Sequence, residues 1–186
     1  MSRFFLLLLA FAMAFPLTAA ADDFEIVFPQ DALATEFTDS YGAPRSGHRH
    51  QGNDLMAPKG TEVYAVADGV VRWIRDRGTA GRYVAIEHAD GWESWYMHLN
   101  DDNPGTDDGA APLALGVAVE VGEVVEAGQL IGWVGDSGNA EGSSPHNHFE
   151  LHHNGRAIDP YSHLIRAFER ALEDLTAPAA GLYPAV

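Results

Sequence analysis

From Thr61 to Pro160 the chain is a series of short apolar runs, each closed by a turn that contains glycine. No other feature limits the fold as much. Apolar runs of about four to eight residues bounded by Gly, Asp and Asn read as strands rather than helices. Asp68-Gly69 and Asp90-Gly91 each separate two such runs, which is a strong hairpin signature. The expected class is therefore mainly β, built on antiparallel β-sheet. Past Asp159-Pro160 the pattern changes. Leu164, Phe168, Leu172 and Leu175 recur at helical spacing, predicting an amphipathic helix over 161–175 with Ser162 as its N-cap.

The second hairpin can be read in register. A two-residue Asp90-Gly91 turn sets Ala89 opposite Trp92, Ile86 opposite Trp95, Val84 opposite Met97 and Tyr83 opposite His98. Val84, Ile86, Trp95 and Met97 then form a core face. Tyr83, Glu87, Ser94, Tyr96 and His98 form a polar and aromatic face that sends His98 toward a cleft or toward solvent. By the same alternation His146, His148 and Glu150 share one face of a later strand, with Phe149 and Leu151 on the other.

The 186 residues suit one domain with a real core. Residues 1–21 read as a secretory signal: Arg3, an apolar stretch from Phe4 to Phe15, and Ala19-Ala20-Ala21 before Asp22. That stretch is shorter than the roughly 20 residues a bilayer span requires, so export with cleavage, and no lasting membrane anchor, is expected. With no cysteine the chain has neither a lipid-anchor thiol nor a disulfide, and packing must hold it together. A formal net charge of −16 argues against nucleic acid or anionic lipid as partner. The expectation is a monomer secreted to the periplasm, the cell wall or the outside medium.

Five polar side chains carry the chemistry. A catalytic zinc takes three protein ligands from His, Asp and Glu and keeps a fourth position open. His50, Asp54 and His148 are of the right types for such a set. No His-Glu-x-x-His helix supplies a glutamate base, which leaves His98 and His146 as the acid/base groups on offer.

The set His50-x-x-x-Asp54, Gly60 to Ala65, Ala67 to Val71, Tyr96-Met97-His98-Leu99, Val121 to Gly132 and His146-x-His148-Phe149-Glu150, in that order and spacing, resembles the M23 family of zinc metallopeptidases. These are the lysostaphin-type or LytM-type peptidoglycan endopeptidases, and the likeness spans roughly residues 26–164. It implies the LytM fold (the duplicated hybrid motif), a sandwich-like antiparallel β-sheet with a groove. It also implies zinc on His50, Asp54 and His148, catalytic roles for His98 and His146, and peptidoglycan stem peptides or cross-bridges as substrate. Tyr41 resembles a groove tyrosine that helps stabilise the oxyanion in some members. The implied organisation is a signal at 1–21, an irregular arm at 22–45, the peptidase domain at 46–164, and a helix end with a flexible tail at 165–186.

Two departures stand out. Asn147 replaces the usual leucine between the two histidines, on the core side, where an amide needs partners. Residues 100–117 form a long acidic insertion; its aspartates do not fit the twelve-residue calcium loop and read as solvated. Two rival readings remain. An inactive wall-binding scaffold or hydrolase activator of the same fold would typically have lost ligands, and here all five positions are filled. A biotinyl-type carrier is a poor fit, because Lys59 lies outside the Val119–Gly132 hairpin-like segment.

Overall fold

The computed structural model describes residues 24–176, so the expected signal at 1–21 and the tail at 177–186 lie outside the described residues. The elements in chain order are β1 (Pro44–Arg45), β2 (His48–Arg49), β3 (Asn53–Met56), β4 (Glu62–Tyr64), β5 (Gly69–Asp76), β6 (Arg82–Glu87), β7 (Trp92–Leu99), β8 (Val124–Val125), β9 (Leu130–Trp133), β10 (His146–His153), β11 (Arg156–Ile158) and α1 (Tyr161–Thr176). The main sheet runs β11-β10-β7-β6-β5-β8, and β3 also pairs with β10. Every pairing within it is antiparallel. Two small sheets, β1-β2 and β4-β9, complete the mainly β architecture.

Strand β10 organises the sheet, because β3, β7 and β11 all pair with it. Phe149 and Leu151 on β10, Leu55 on β3 and Val84 and Ile86 on β6 are fully buried in one core cluster. Leu164 and Ala167 of α1 close that layer. Burial of a side chain such as Leu164 contributes roughly 1.5–3 kcal/mol. The helix opens ahead of Ser162, because Asp159 Oδ1 accepts the Tyr161 N–H at 2.9 Å and so serves the first turn instead. Arg170 donates to the Ile26 carbonyl at 2.8 Å and Phe168 packs edge-on against Phe28, which fastens the N-terminal arm to the helix.

Three sequence expectations are corrected. Asp68-Gly69 is not a hairpin turn: β4, before it, pairs with β9, whereas β5, after it, pairs with β6 and β8. Glycine is needed there for approach, since a Cβ on Gly69 would lie 2.5 Å from the Glu87 carbonyl oxygen. The Asp90-Gly91 hairpin does form, but its turn is longer. Asp90 and Gly91 both have positive φ within a short 3-10 turn at Ala89–Gly91, and His88 N–H closes on the Trp92 carbonyl. One extra turn residue slips the register, so that Ile86 faces Ser94 and Val84 faces Tyr96. Ser94 and Tyr96 consequently enter the core, and Trp95 leaves it. Their hydroxyls are satisfied there: Tyr96 Oη accepts from Val66 N–H at 2.9 Å and bonds Ser94 Oγ at 2.9 Å, and Ser94 Oγ meets His88 Nε2 at 2.7 Å.

His88, at the end of this chain, is buried, and its Nδ1–H donates to the Asp68 carbonyl. Burial outweighs that carbonyl and holds its pKa below the ordinary histidine range. The unfolded chain therefore takes up this proton more readily than the folded one. The group's contribution to stability is complete above the unfolded pKa of about 6.5 and is lost as pH falls below it. Urea midpoints taken at about pH 7.5 and about pH 5.5 are expected to drop further for wild type than for His88→Gln. Equal drops would assign the acid sensitivity to other groups.

The acidic insertion is not simply solvated. Lys59 Nζ bonds Asp102 and Asp107, on the insertion, at 2.5 and 2.6 Å, and Asp136 beyond it at 2.8 Å. Arg82, which is buried, donates to the carbonyls of Asn100, Ala111 and Pro112. Two cations thus clamp both ends of the segment to the sheet.

Candidate metal centre

The site begins with close packing of backbone. A Cβ on Gly52 would lie 2.2 Å from the Phe149 carbonyl oxygen, so only glycine lets the His50–Asp54 turn press against β10. His50 is fixed just before it, its N–H on the Ala43 carbonyl at 3.0 Å and its carbonyl accepting from Gly42 at 2.8 Å. Antiparallel register then sets His148 directly opposite Asp54, and His146 opposite Met56. Cross-strand partners share a face, so three of the five polar residues meet by pairing alone.

His98 arrives differently. By alternation from Ser94 and Tyr96 it would point into the core. Between Arg82↔Leu99 and Val84↔Tyr96, however, β7 spends one more residue than β6, a bulge, and His98 sits there with φ 59°. The bulge re-aims the imidazole. Its ring centroid lies 5.0 Å from that of His146 and 6.0 Å from that of His148. The cleft position follows from the bulge and not from the simple hairpin parity.

The ligand atoms themselves are close. His50 Nε2 lies 3.0 Å from Asp54 Oδ1 and 2.9 Å from His148 Nδ1, and His148 Nδ1 lies 2.9 Å from Asp54 Oδ1. The outer ring nitrogens reveal what those atoms carry. His50 Nδ1 faces the Ser40 carbonyl at 2.8 Å, and a carbonyl can only accept, so the proton is on Nδ1 and Nε2 is bare. His148 Nε2 faces Glu150 Oε1 at 3.0 Å, so its proton sits there and Nδ1 is bare in the neutral ring. Two lone pairs and a carboxylate oxygen are thus aimed at one point within hydrogen-bond distance of one another. Such a triad requires a cation, and it fits a divalent ion with two imidazoles and one carboxylate.

The titration behaviour agrees. Burial alone would push His148 down, yet Asp54 and Glu150 outweigh it and raise it to about 9. Burial likewise opposes ionisation of Asp54, and the hydrogen bonds from His148 and His50 overcome it, leaving the carboxyl far below the usual range. Without a metal the cluster meets its demand for positive charge with a proton. His98 behaves in the opposite sense: burial, then the neighbouring His146, pushes it down to about 4. Its Nδ1–H is given to the Ser137 carbonyl at 2.8 Å, leaving Nε2 bare. His146 Nδ1 is held by the Ser144 carbonyl at 2.9 Å, and its Nε2 lies 3.8 Å from Asp54 Oδ1.

A family model described as Peptidase family M23 matches residues 48–160, well over half of the chain. The chain belongs to peptidase family M23. Within the family it is 37% identical over 131 residues to the DD-carboxypeptidase/endopeptidase Mpg of Neisseria meningitidis serogroup B, covering 70% of this chain and 26% of that one. It is 36% identical over 110 residues to the peptidoglycan DD-endopeptidase ShyA of Vibrio cholerae, covering 59% of this chain and 22% of that one. The chain thus spans about a quarter of the length of these relatives. Among solved structures, the catalytic domain of the antimicrobial peptidase lysostaphin from Staphylococcus simulans superposes with a TM-score of 0.56 at 29% identity, over 70% of this chain and 92% of that one. The M23 assignment fits the observed mainly β antiparallel architecture with its C-terminal helix.

Sequence reasoning missed the residues that aim this M23 centre. Glu150 orients His148 and is in turn bonded by His152 Nε2 at 2.7 Å. Ser137 receives the His98 proton on its carbonyl, while its Oγ ties the Arg82 N–H at 2.9 Å to the Leu99 carbonyl at 2.7 Å. The parity that placed Glu150 on the histidine face was the available signal for the first; the second had none, because it acts through backbone. Tyr41 gives its hydroxyl to the Ala157 carbonyl at 3.1 Å, which anchors the arm to β11. Asn147 is half satisfied: its Nδ2 donates to Gln30 Oε1 of the arm at 3.2 Å, while its buried Oδ1 has no hydrogen-bond partner among the described residues.

Proposed function

We propose that the chain is a zinc-dependent endopeptidase that hydrolyses peptide bonds in the stem peptides or cross-bridges of bacterial peptidoglycan, acting outside the cytoplasm. One observation carries the reading: the bare Nε2 of His50, the bare Nδ1 of His148 and Asp54 Oδ1 converge within 3.0 Å, and two further imidazoles stand beside them. The names of the relatives, DD-endopeptidases among them, support the substrate class. Zinc on these three ligands would polarise a scissile carbonyl and lower the pKa of a bound water toward neutrality.

The rest is the work of the chain. His98, held neutral by burial, keeps Nε2 free to accept a proton or to donate to a developing oxyanion once protonated. His146, with Nδ1 fixed on Ser144 and its ring centroid 5.0 Å from that of His98, offers its Nε2 as the partner for proton transfer to the leaving amine. Glu150 keeps His148 in the tautomer whose Nδ1 is unprotonated.

The zinc-loaded domain, incubated with purified peptidoglycan, is expected to release muropeptides whose masses show a hydrolysed peptide bond, and EDTA is expected to stop release. Zinc binding with no new muropeptides would instead favour a scaffold of the same fold.

A further inference from the structure

Asp54 divides its two oxygens. Oδ1 faces the imidazoles, and Oδ2 is held by Arg45 Nη2 at 2.6 Å. Arg45 sits in the two-stranded β1-β2 hairpin, ahead of the segment the family model matches, and its side chain remains 41% exposed. Asp54 is its one hydrogen-bond partner among the described residues, so a planar group with five N–H donors spends one of them there.

The surrounding charge makes this arginine informative. The chain carries 27 acids against 11 Lys and Arg, and its long-range field repels a carboxylate-bearing peptide. Residues 40–53 break that pattern, with Arg45, His48, Arg49 and His50 and no acid among them. The hairpin therefore brings one basic side chain, Arg45, to the mouth of the centre against Asp54 in an otherwise acidic protein. At that mouth a guanidinium fork matches one partner best, a carboxylate bound through two parallel N–H···O bonds.

We propose that Arg45 is a specificity-determining residue that anchors a free carboxylate of the peptide substrate beside the scissile bond, a selection that rests on the endopeptidase reading above. Its position sets the distance. A carboxylate on the same guanidinium that touches Asp54 lies one side chain away from the three ligand atoms, so the bond addressed is close to the substrate's anionic end. Peptides amidated at that carboxylate lose the anchor and keep everything else.

The test uses a cross-linked stem-peptide dimer in two forms, with its terminal carboxylate free or amidated, on the zinc-loaded wild type, Arg45→Gln and Arg45→Lys. Turnover, calorimetric binding of each peptide, and zinc affinity by chelator competition are all read. Wild type is expected to favour the free acid by about 30-fold in kcat/KM, through KM. Arg45→Gln is expected to erase that preference, turning over the free acid and the amide with equal kcat/KM, while any loss passed through Asp54 to the zinc falls on both peptides alike. Arg45→Lys should recover part of the preference, since it restores charge without the fork. Equal losses on both peptides accompanied by weaker zinc binding would overturn the anchor and make Arg45 a support for Asp54. No preference in wild type would overturn it outright. Discrimination in binding without any hydrolysis would overturn the endopeptidase reading and leave the anchor standing.

Discussion

Replacing His146 with alanine is expected to lower peptidoglycan hydrolysis by about a thousandfold while zinc stays bound, within the range that general acid–base groups contribute. The expectation follows from where the ring nitrogens go. His146 Nδ1 is committed to the Ser144 carbonyl, and Nε2 stands 3.8 Å from Asp54 Oδ1, outside the triangle of 2.9–3.0 Å contacts that joins His50, Asp54 and His148. The side chain keeps 14% of its surface exposed, so its removal opens space continuous with solvent rather than a closed cavity, and the fold should persist. The loss should therefore fall on kcat, with KM and the zinc-to-protein ratio little changed, as measured by steady-state turnover of a defined muropeptide and by elemental analysis. Full activity would exclude His146 from the chemistry. Loss of zinc would place it among the ligands.

Which parts of this centre could be read from sequence depends on how each residue reaches it. His146, His148 and Glu150 lie on one strand, where a period of two fixes their common face, and Asp54 joins them through plain antiparallel pairing. Such relations survive any error in turn length elsewhere. His98 does not have that protection. A single extra residue at Ala89–Gly91 exchanged the two faces of β7, sending Ser94 and Tyr96 inward, and a second irregularity, the bulge at His98, returned the imidazole to the cleft. Two one-residue slips cancelled, so the right location followed from the wrong register. Bulges and turn types turn on local φ values that residue identity only biases, and no periodicity announces them. The long-range partners were equally hidden. Gln30 under Asn147, Lys59 on Asp102 and the Ser137 carbonyl behind His98 are each set by tertiary placement of segments 39 or more residues apart.

His148→Ala is expected to weaken zinc binding by more than about a hundredfold, beyond the effect typical of altering an outer-shell partner, and to abolish hydrolysis with it. The ring supplies one of three ligand atoms, and its Nδ1 is the atom that both His50 Nε2 and Asp54 Oδ1 approach to 2.9 Å. Without it, one imidazole and one carboxylate remain, too few to hold the ion against water or a chelator. The variant should also separate metal affinity from folding. Phe149 and Leu151 still fill the core on the other face of β10, and His152 still bonds Glu150 at 2.7 Å, so the buried carboxylate is not left alone. Metal-free His148→Ala is expected to stay folded but to melt below wild type near neutral pH, because it lacks the protonated imidazole between Asp54 and Glu150, whereas the rise on adding zinc, which tracks affinity by mass action, should be confined to wild type. A His148→Ala protein that kept both the zinc-induced rise and its turnover would show that the ion sits elsewhere. The pairing of His148 with Asp54 would then be structural only, and His50 would be left without a role in binding metal.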